Sequence, residues 1–124
     1  MSKKNNYLKG KKGEDLSVVY LKKRKYKIRD INYRCPLGEI DIIARQKDTI
    51  VFIEVKTRTS IQYGYPREAV NYYKQKKISQ AALYYLKKYD LFENNVRFDV
   101  IDILVDTINT KITHIINAFE IIMK

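Results

Sequence analysis

Two apolar segments near the middle of the chain, separated only by a short polar turn, leave few ways for it to fold. GEIDIIARQ begins at Gly38, TIVFIEVKTR begins at Thr49, and Gln46-Lys47-Asp48 forms the turn. Both segments are rich in β-branched residues, which favour strands. Two strands with so short a connection pair as neighbours in an antiparallel sheet. The sequence therefore predicts a β-hairpin in this region.

Charged side chains share one face of the second strand of this hairpin. Side chains alternate between the two faces of a sheet, so Phe52, Glu54 and Lys56 project to the same side. The opposite side is predicted to carry Val51, Ile53 and Val55. A carboxylate and an ammonium group therefore emerge together at the end of an otherwise apolar strand.

The first strand of the hairpin adds further carboxylates. Glu39 and Asp41 share a face, and the opposite face is predicted to carry Ile40, Ile42 and Ala44. Pairing of the two strands would bring Asp41 close to Glu54. Two carboxylates at such a distance repel each other unless a cation lies between them, and Mg²⁺ uses one or two carboxylates together with waters and phosphates.

An exposed ion pair on an amphipathic strand is the alternative explanation for Glu54 and Lys56. Apolar neighbours argue against it, because Asp41 lies within IDII and Glu54 within VFIEV, and charges in such surroundings are costly unless paired or bound to a metal. A metal there would polarise a phosphoryl oxygen and help to activate water. Lys56 would orient or deprotonate that water, or stabilise the charge of the transition state. Glu14, beside Gly13, is the candidate for a further carboxylate of the cluster.

The N-terminal part of the chain predicts a helix and a strand before the hairpin. An amphipathic helix over residues 8 to about 25 would bury an apolar side made of Leu8, Leu16, Val19, Tyr20 and Leu21. A strand from Tyr26 to Arg34 follows, and Cys35-Pro36-Leu37-Gly38 supplies the turn into the hairpin.

A second helix and two further strands are predicted after the hairpin. Following a polar loop at residues 59–65, Pro66 begins the helix with Glu68 near its positive end, and the helix runs to about Tyr89. One broad face of it is predicted to carry Ala69, Tyr73, Ile78, Ala81, Ala82, Tyr85 and Leu86. VRFDVIDILVD, from Val96, is almost continuously apolar, which is typical of a central strand. A short strand, ITHII, and the segment NAFEII complete the pattern, and the whole order favours a mixed sheet with helices against its faces.

Length and charge bound the class of protein. The 124 residues predict one domain, and a hydrophobic content of 45% suffices for a modest core. The formal net charge is +11, from 25 Lys and Arg against 14 Asp and Glu, and such an excess favours polyanionic partners. A lysine-rich proteome or a solubilising surface is the alternative explanation.

Cysteine content and hydropathy indicate the compartment. Cys35 is the only cysteine, which excludes an intramolecular disulfide and fits a reducing compartment. No apolar run reaches the roughly 18–20 residues of a transmembrane helix, and no apolar h-region follows the basic N-terminus. We therefore expect a cytoplasmic protein that does not enter a membrane.

A series of short blocks spans nearly the whole chain. The blocks are GKKGED from Gly10, the N-x-R and GEID segments up to Asp41, VFIEVKTR from Val51, Gly64-Tyr65-Pro66 with Glu68-Ala69-Val70, the helix from Lys74 to Ala81, RFDVI from Arg97 and HIINAF from His114. Together they resemble the YraN family of small bacterial proteins, predicted endonucleases of the restriction-endonuclease-like superfamily that are related to archaeal Holliday-junction resolvases. Ser17 departs from the alanine of the family pattern, and we expect this small change to be neutral at the surface.

The resemblance implies a single nuclease-like domain over residues 1–124 with an α/β fold, a restriction-endonuclease-like mixed β-sheet flanked by helices. It implies an active site of the PD-(D/E)xK type made of Glu14, Asp41, Glu54 and Lys56, in which Asp41 and Glu54 bind Mg²⁺ or Mn²⁺. The implied activity is that of a metal-dependent endonuclease acting on DNA, including branched or structured DNA. By analogy we also expect a homodimer, because cutting of two strands is simplest with two centres.

Two other function classes stay open at this point. A nucleic-acid-binding protein would keep the fold and the basic face without catalysis, and an interaction protein of a DNA-handling or cell-envelope assembly would need neither. The complete set of three carboxylates and a lysine favours the enzyme, because a pure binder has no use for clustered carboxylates near phosphates.

Three cations are candidates for phosphate contacts. Arg58 is on the same face as Lys56, and Lys74 and Lys77 are on the second helix. A solvated strand end is the alternative for Arg58, and a solvated helix face is the alternative for the two lysines.

Internal structural roles are expected for several other polar residues. His114 and Asp99 lie in apolar strands, so satisfied internal hydrogen bonds are the expectation for both. Tyrosines at helical spacing in the second helix are expected to be core and boundary residues rather than base-stacking ones, and these are Tyr72, Tyr73, Tyr84 and Tyr85.

Overall fold

The computed structural model describes residues 3–59, 70–105 and 109–123, with the side chains of residues 3–10 excepted. The elements are α1 (Lys3–Lys23), β1 (Lys27–Cys35), β2 (Gly38–Gln46), β3 (Thr49–Arg58), α2 (Tyr72–Lys88), β4 (Asn95–Val105) and β5 (Thr110–Phe119). The predicted order of helices and strands is confirmed, and the two strands of the hairpin have the predicted bounds. No helix in the described part of the chain is long and apolar enough to cross a membrane.

The five strands form one sheet in chain order, β1-β2-β3-β4-β5. β3 pairs with β4 in parallel, and the other three pairs are antiparallel. A parallel neighbour requires a crossover connection, and α2 provides it. The central position predicted for β4 is confirmed, and the mixed sheet flanked by helices is the restriction-endonuclease-like architecture.

The two helices cover opposite faces of the sheet, and each face has its own apolar core. The core beneath α2 includes Ile43, Phe52, Phe98, Ile78 and Tyr85. The core beneath α1 includes Leu21, Val51, Ile53, Ile101 and Ile103. Neighbouring residues of β3 therefore alternate between the two cores, so both faces of this strand are buried along its first half.

The helices depart from the predictions in four respects. α1 begins at Lys3 rather than near residue 8, and Val19, predicted to be buried, is 51% exposed whereas Val18 packs on the core. Tyr73 is 68% exposed, because its position on α2 turns it away from the sheet. α2 begins at Tyr72 with Asn71 as N-cap, whose side chain accepts a hydrogen bond from the Lys74 amide. Most of the predicted loop and the predicted helix start, namely residues 60–65, Pro66, Glu68 and Ala69, lie outside the described residues.

The C-terminal strand is longer than the short strand predicted. β5 continues through Asn117, whose φ of 56° lies in the left-handed region, and its register with β4 shifts between Phe98 and Val100. Asparagine tolerates this backbone conformation better than most residues. The irregularity points the Asn117 amide at Asp99, which accepts its hydrogen bond at 2.9 Å.

Asp99 is fully buried and holds together several elements. Arg97 donates two hydrogen bonds of 2.9 Å to its carboxylate, and His114 Nε2 lies 2.7 Å from Oδ2. Tyr20 of α1 contacts the other ring nitrogen of His114, and Tyr26 accepts from Arg97. Burial alone would raise the pKa of Asp99, but the hydrogen bonds from His114 and Arg97 outweigh it and lower the pKa. The internal roles predicted for Asp99 and His114 are confirmed.

Gly13 lets α1 approach β3 closely. A Cβ atom at this position would overlap Thr57 Oγ1 and lie 3.3 Å from Thr57 Cβ, so no other residue fits without a shift. One turn along, Ser17 is fully buried and its hydroxyl donates to the Gly13 carbonyl at 2.8 Å. The expectation that Ser17 lies at the surface was wrong, because this face of α1 is pressed against the sheet.

We predict that Gly13→Ala lowers the free energy of unfolding by about 1–3 kcal/mol, because the added methyl group overpacks the contact with Thr57. Urea denaturation measures the change. Thr57 Oγ1 is buried without a hydrogen-bond partner, so Thr57→Ala removes the obstacle at little cost. In the Thr57→Ala background, Gly13→Ala should lower the free energy of unfolding by much less. An equal loss in both backgrounds would show that the contact with Thr57 is not the cause.

Candidate active site

The candidate site lies where β2 and β3 separate. Their pairing runs from Gln46↔Thr49 to Ile42↔Ile53 and does not continue to Asp41 and Glu54. At this point Asp41 Oδ2 accepts a hydrogen bond of 2.8 Å from the Val55 amide. The side chain thus takes the place of a main-chain acceptor, and the carboxylate is held in the gap between the two strands.

The predicted alternation of β2 is interrupted at Asp41. Ile42 and Ala44 pack beneath α1 as predicted, but Ile40 packs beneath α2 instead of sharing their face. On the neighbouring strand β1, Asn32 has a φ of 54° in the left-handed region, and this local bend accompanies the change of face. The prediction of a regular strand was wrong because it assumed uniform pleating.

Glu54 follows Phe52 on the α2 side of β3, and its side chain is only 12% exposed. Lys74 Nζ of α2 lies 3.5 Å from Glu54 Oε1. Burial, followed by the negative charge of Asp41, raises the pKa of Glu54 from 4.5 to about 7, although Lys74 and Lys56 act in the opposite direction. The hairpin therefore does bring Asp41 and Glu54 into electrostatic contact, as predicted.

Asp41 is subject to the same opposing influences. Burial raises its pKa, and the charge of Glu39 adds to this effect. The Val55 amide and the charges of Lys74 and Lys56 lower it but do not cancel the rise. Burial therefore makes the charged form of both carboxylates less favourable in the folded protein than in water.

Glu14 reaches this cluster from the opposite face of the sheet. It is half-buried on α1, directly after Gly13. Burial raises its pKa, the charge of Asp41 raises it further, and a side-chain hydrogen bond from Asn32 lowers it. The structure thus brings Glu14, Asp41 and Glu54 into one electrostatic cluster. Asn32 was not among the site residues predicted from the sequence. The signal that could have indicated it is an asparagine inside a predicted strand.

Lys56 and Arg58 continue the site along β3. Lys56 is exposed and lies in register with Asp102 of β4. Arg58 Nε is 3.0 Å from Asp102 Oδ1 and donates to Oδ2 at 3.2 Å, and the two side chains are 14% and 3% exposed. Sequence reasoning missed this buried partner, because Asp102 lies 44 positions away. The phosphate contact of Arg58 stays a prediction.

Lys74 and Lys77, the predicted phosphate contacts of α2, lie on the side of the helix near the cluster. Lys74 is half-buried against Glu54, whereas Lys77 is exposed with its Nζ 5.8 Å from the centre of the Tyr73 ring. The expectation that the helical tyrosines are core and boundary residues is confirmed for the buried Tyr85 and for Tyr84 at the boundary, but it was wrong for Tyr72 and Tyr73. Tyr72, Tyr73 and Tyr84 are 62%, 68% and 39% exposed.

The carboxylates of Asp41 and Glu54 suit a hard cation that retains part of its hydration shell. Within the described residues, no three side chains of the His, Cys, Asp and Glu types are grouped as a metal site. Mg²⁺, however, needs only one or two carboxylates from the protein and completes its octahedron with waters and phosphates. Asp41 and Glu54, whose charged forms burial makes unfavourable, match that requirement.

The raised pKa of Glu54 predicts a pH-dependent stability in the absence of metal. Between pH 4.5 and about 7 the folded protein keeps a proton on Glu54 that the unfolded chain has lost, so stability falls as the pH rises through this window. Glu54→Gln should therefore stabilise the protein by about 1–3 kcal/mol near pH 8 and by much less near pH 5. Urea denaturation in a chelator at both pH values measures this, and equal effects at the two values would contradict it.

Comparison with known proteins identifies the family. A profile of the uncharacterised protein family UPF0102 matches residues 13–103. A UPF0102 protein of Geobacter metallireducens is 53% identical over 112 residues, which cover 90% of this chain and 92% of the relative. UPF0102 proteins of Clostridioides difficile and Caldanaerobacter subterraneus are 47% and 43% identical, over 93% and 96% of this chain and 99% and 100% of the relatives. The resemblance to the YraN family is thereby confirmed, and the chain belongs to the UPF0102 family.

Proposed function

We propose that this protein is a metal-dependent endonuclease that hydrolyses phosphodiester bonds in DNA. One observation carries the proposal: the half-buried Asp41 and the largely buried Glu54 influence each other where β2 and β3 separate, and Lys56 is exposed two residues along β3. Ionisable groups with perturbed pKa values are concentrated at functional sites, since burial of charge is otherwise selected against. A carboxylate pair next to a lysine can hold a divalent cation and position a water, and this is one combination that suits phosphodiester hydrolysis.

Each residue has a distinct task in this proposal. Asp41 and Glu54 would hold Mg²⁺ or Mn²⁺, which when bound would polarise a phosphoryl oxygen and lower the pKa of a water. Lys56 is free of the apolar core and orients the attacking water or stabilises the negative charge that develops on the phosphoryl oxygens. Glu14 adds negative charge from α1 and so strengthens the attraction for a cation. Lys74 forms an ion pair with Glu54 and, if a metal ion took over the charge of Glu54, would be available to contact a phosphate.

A second cationic region supports a polyanionic substrate. Lys25, Lys27, Arg29, Arg45 and Lys47 line a surface cavity of about 520 Å³ at the far end of the hairpin. None of the residues that line it is acidic. Cations in this arrangement bind a phosphate backbone without reading its sequence.

A nucleic-acid-binding protein without catalysis is the second candidate. The observation in its favour is that Lys74 already neutralises part of the charge of Glu54 and that the Val55 amide already satisfies Asp41. Such a protein would bind DNA in a salt-dependent way but would not cut it. One assay separates the two candidates.

We predict that the purified protein cleaves DNA in Mg²⁺ or Mn²⁺ and not in a chelator. Duplex, single-stranded and four-way-junction DNA are the substrates. Asp41→Asn keeps the shape of the side chain and an acceptor for Val55, yet it should lower the cleavage rate at least about a hundredfold, and so should Lys56→Ala. Asp48→Asn and Lys111→Ala remove exposed charges outside the cluster and should cleave like the original protein.

Cleavage that survives both substitutions would refute the proposed site. Salt-dependent binding without cleavage in any metal would favour the binding protein instead. If two chains act together to cut both strands of a duplex, the protein should form a dimer on DNA. Size-exclusion chromatography of the protein–DNA complex measures this.

The basic cavity generates a separate prediction about binding. Replacing Lys25, Lys27 and Lys47 by alanine should lower the slope of log affinity against log salt concentration by about 0.9 for each phosphate that the protein no longer neutralises. Fluorescence anisotropy with a short duplex measures the slope. The matched control replaces Lys87, Lys88 and Lys111, which are exposed and outside the cavity, and an equal change there would mean that only total charge matters.

A further inference from the structure

A groove lies between the β1–β2 turn and the first half of α2. Its volume is about 460 Å³, within the usual range for ligand sites in proteins. Arg34, Leu37 and Glu39 line it on the side of the turn, and Tyr73, Lys74 and Lys77 line it on the side of the helix. The turn approaches α2 closely at Gly38, where an added Cβ would lie 3.1 Å from the Lys77 carbonyl oxygen.

The groove adjoins the carboxylate cluster through Lys74. Lys74 lines it and also lies 3.5 Å from Glu54 Oε1. Glu39, on the other wall, contributes to the raised pKa of Asp41. The groove and the cluster are therefore close enough for neighbouring parts of one nucleic-acid strand to occupy both.

The groove combines an aromatic surface with positive charge. Tyr73 is 68% exposed and Leu37 is 45% exposed, so each wall carries a large apolar side chain open to solvent. Arg34, Lys74 and Lys77 contribute three positive charges against the single negative charge of Glu39. The Arg34–Glu39 ion pair is 80% and 61% exposed, and a pair so exposed is weak enough for a phosphate to replace the carboxylate.

Only an unpaired nucleotide can use such a surface. In a duplex both faces of a base are covered by its neighbours, whereas a base outside the stack presents a face to an aromatic ring. A lysine near the ring, as Lys77 is near Tyr73, adds charge for the adjoining phosphate. The aromatic and cationic groups are thus complementary to the two parts of one nucleotide.

We infer that the groove binds one unpaired nucleotide next to the scissile phosphate, with its base stacked on Tyr73 and its phosphates near Arg34 and Lys77. The substrate is accordingly DNA with a single-stranded segment at the cleavage position. This inference rests on the proposed function and narrows it from DNA in general to DNA with an unpaired strand.

The test measures binding rather than cleavage, so it does not depend on the metal. Fluorescein-labelled single-stranded, flapped and fully paired oligonucleotides are titrated in a chelator at fixed ionic strength, and fluorescence anisotropy reports affinity. Tyr73→Ala should weaken binding of the single-stranded and flapped forms by about 5- to 150-fold, and that of the paired form less than about twofold. Tyr73→Phe keeps the ring and should restore binding to within about twofold.

Tyr84→Ala is the matched control. Tyr84 is an exposed tyrosine eleven positions along α2, which places it on the same side of the helix three turns away and outside the groove. The Tyr84→Ala variant should bind all three oligonucleotides like the original protein. Thermal denaturation checks that both alanine variants are folded. An equal loss for paired and unpaired DNA, an equal loss in Tyr84→Ala, or no loss in Tyr73→Ala would overturn the inference.

Failure of the groove inference can be distinguished from failure of the proposed function. If the original protein binds and cuts DNA but Tyr73→Ala leaves the preference for unpaired strands unchanged, only the groove is refuted. If the original protein binds none of the oligonucleotides even at low ionic strength, the nucleic-acid function itself is refuted and the groove with it.

Discussion

The hydrogen bond between the Asp41 carboxylate and the Val55 amide is the interaction on which the candidate site depends. The β2–β3 ladder ends at the pair Ile42↔Ile53, and just beyond it the Asp41 side chain accepts the hydrogen bond of the Val55 amide in place of a main-chain carbonyl. Without an acceptor at that point the two strands would either pair further or leave an orphan amide. The fork in turn gives Glu54 its position and opens the end of the sheet to solvent.

The cluster around this fork is held at a cost that a purely structural site would avoid. Burial raises the pKa of Glu14, Asp41 and Glu54, so at neutral pH the folded chain keeps carboxylates in surroundings less favourable than water. The compensation comes from opposite faces of the sheet, since Lys74 belongs to α2 and the Asn32–Glu14 contact connects β1 to α1. Apolar residues of similar size would pack here at lower cost.

Sequence patterns predicted the regular parts of the fold well. Strand alternation and a short turn are local properties of the sequence. They were enough to predict the bounds of β2 and β3, the central position of β4 and the proximity of Asp41 to Glu54. What could not be predicted depends on contacts between distant elements. The pairing of Arg58 with Asp102 arises from a parallel register, and the left-handed Asn32 has no periodic signature. The exposure of Tyr73 was not predicted, because helical spacing alone does not determine which side of α2 faces the sheet.

The buried Asp99 ties the last strand to the beginning of the chain. Its partners belong to β4 and β5, and through His114 and Arg97 it is connected to Tyr20 and Tyr26 near the N-terminal helix. An edge strand is ordinarily the part of a sheet that evolution can shorten or discard. Here its removal would leave the fully buried Asp99 carboxylate without its histidine and its main-chain donor, so the stability of the fold depends on β5 although this strand lies at the edge of the sheet.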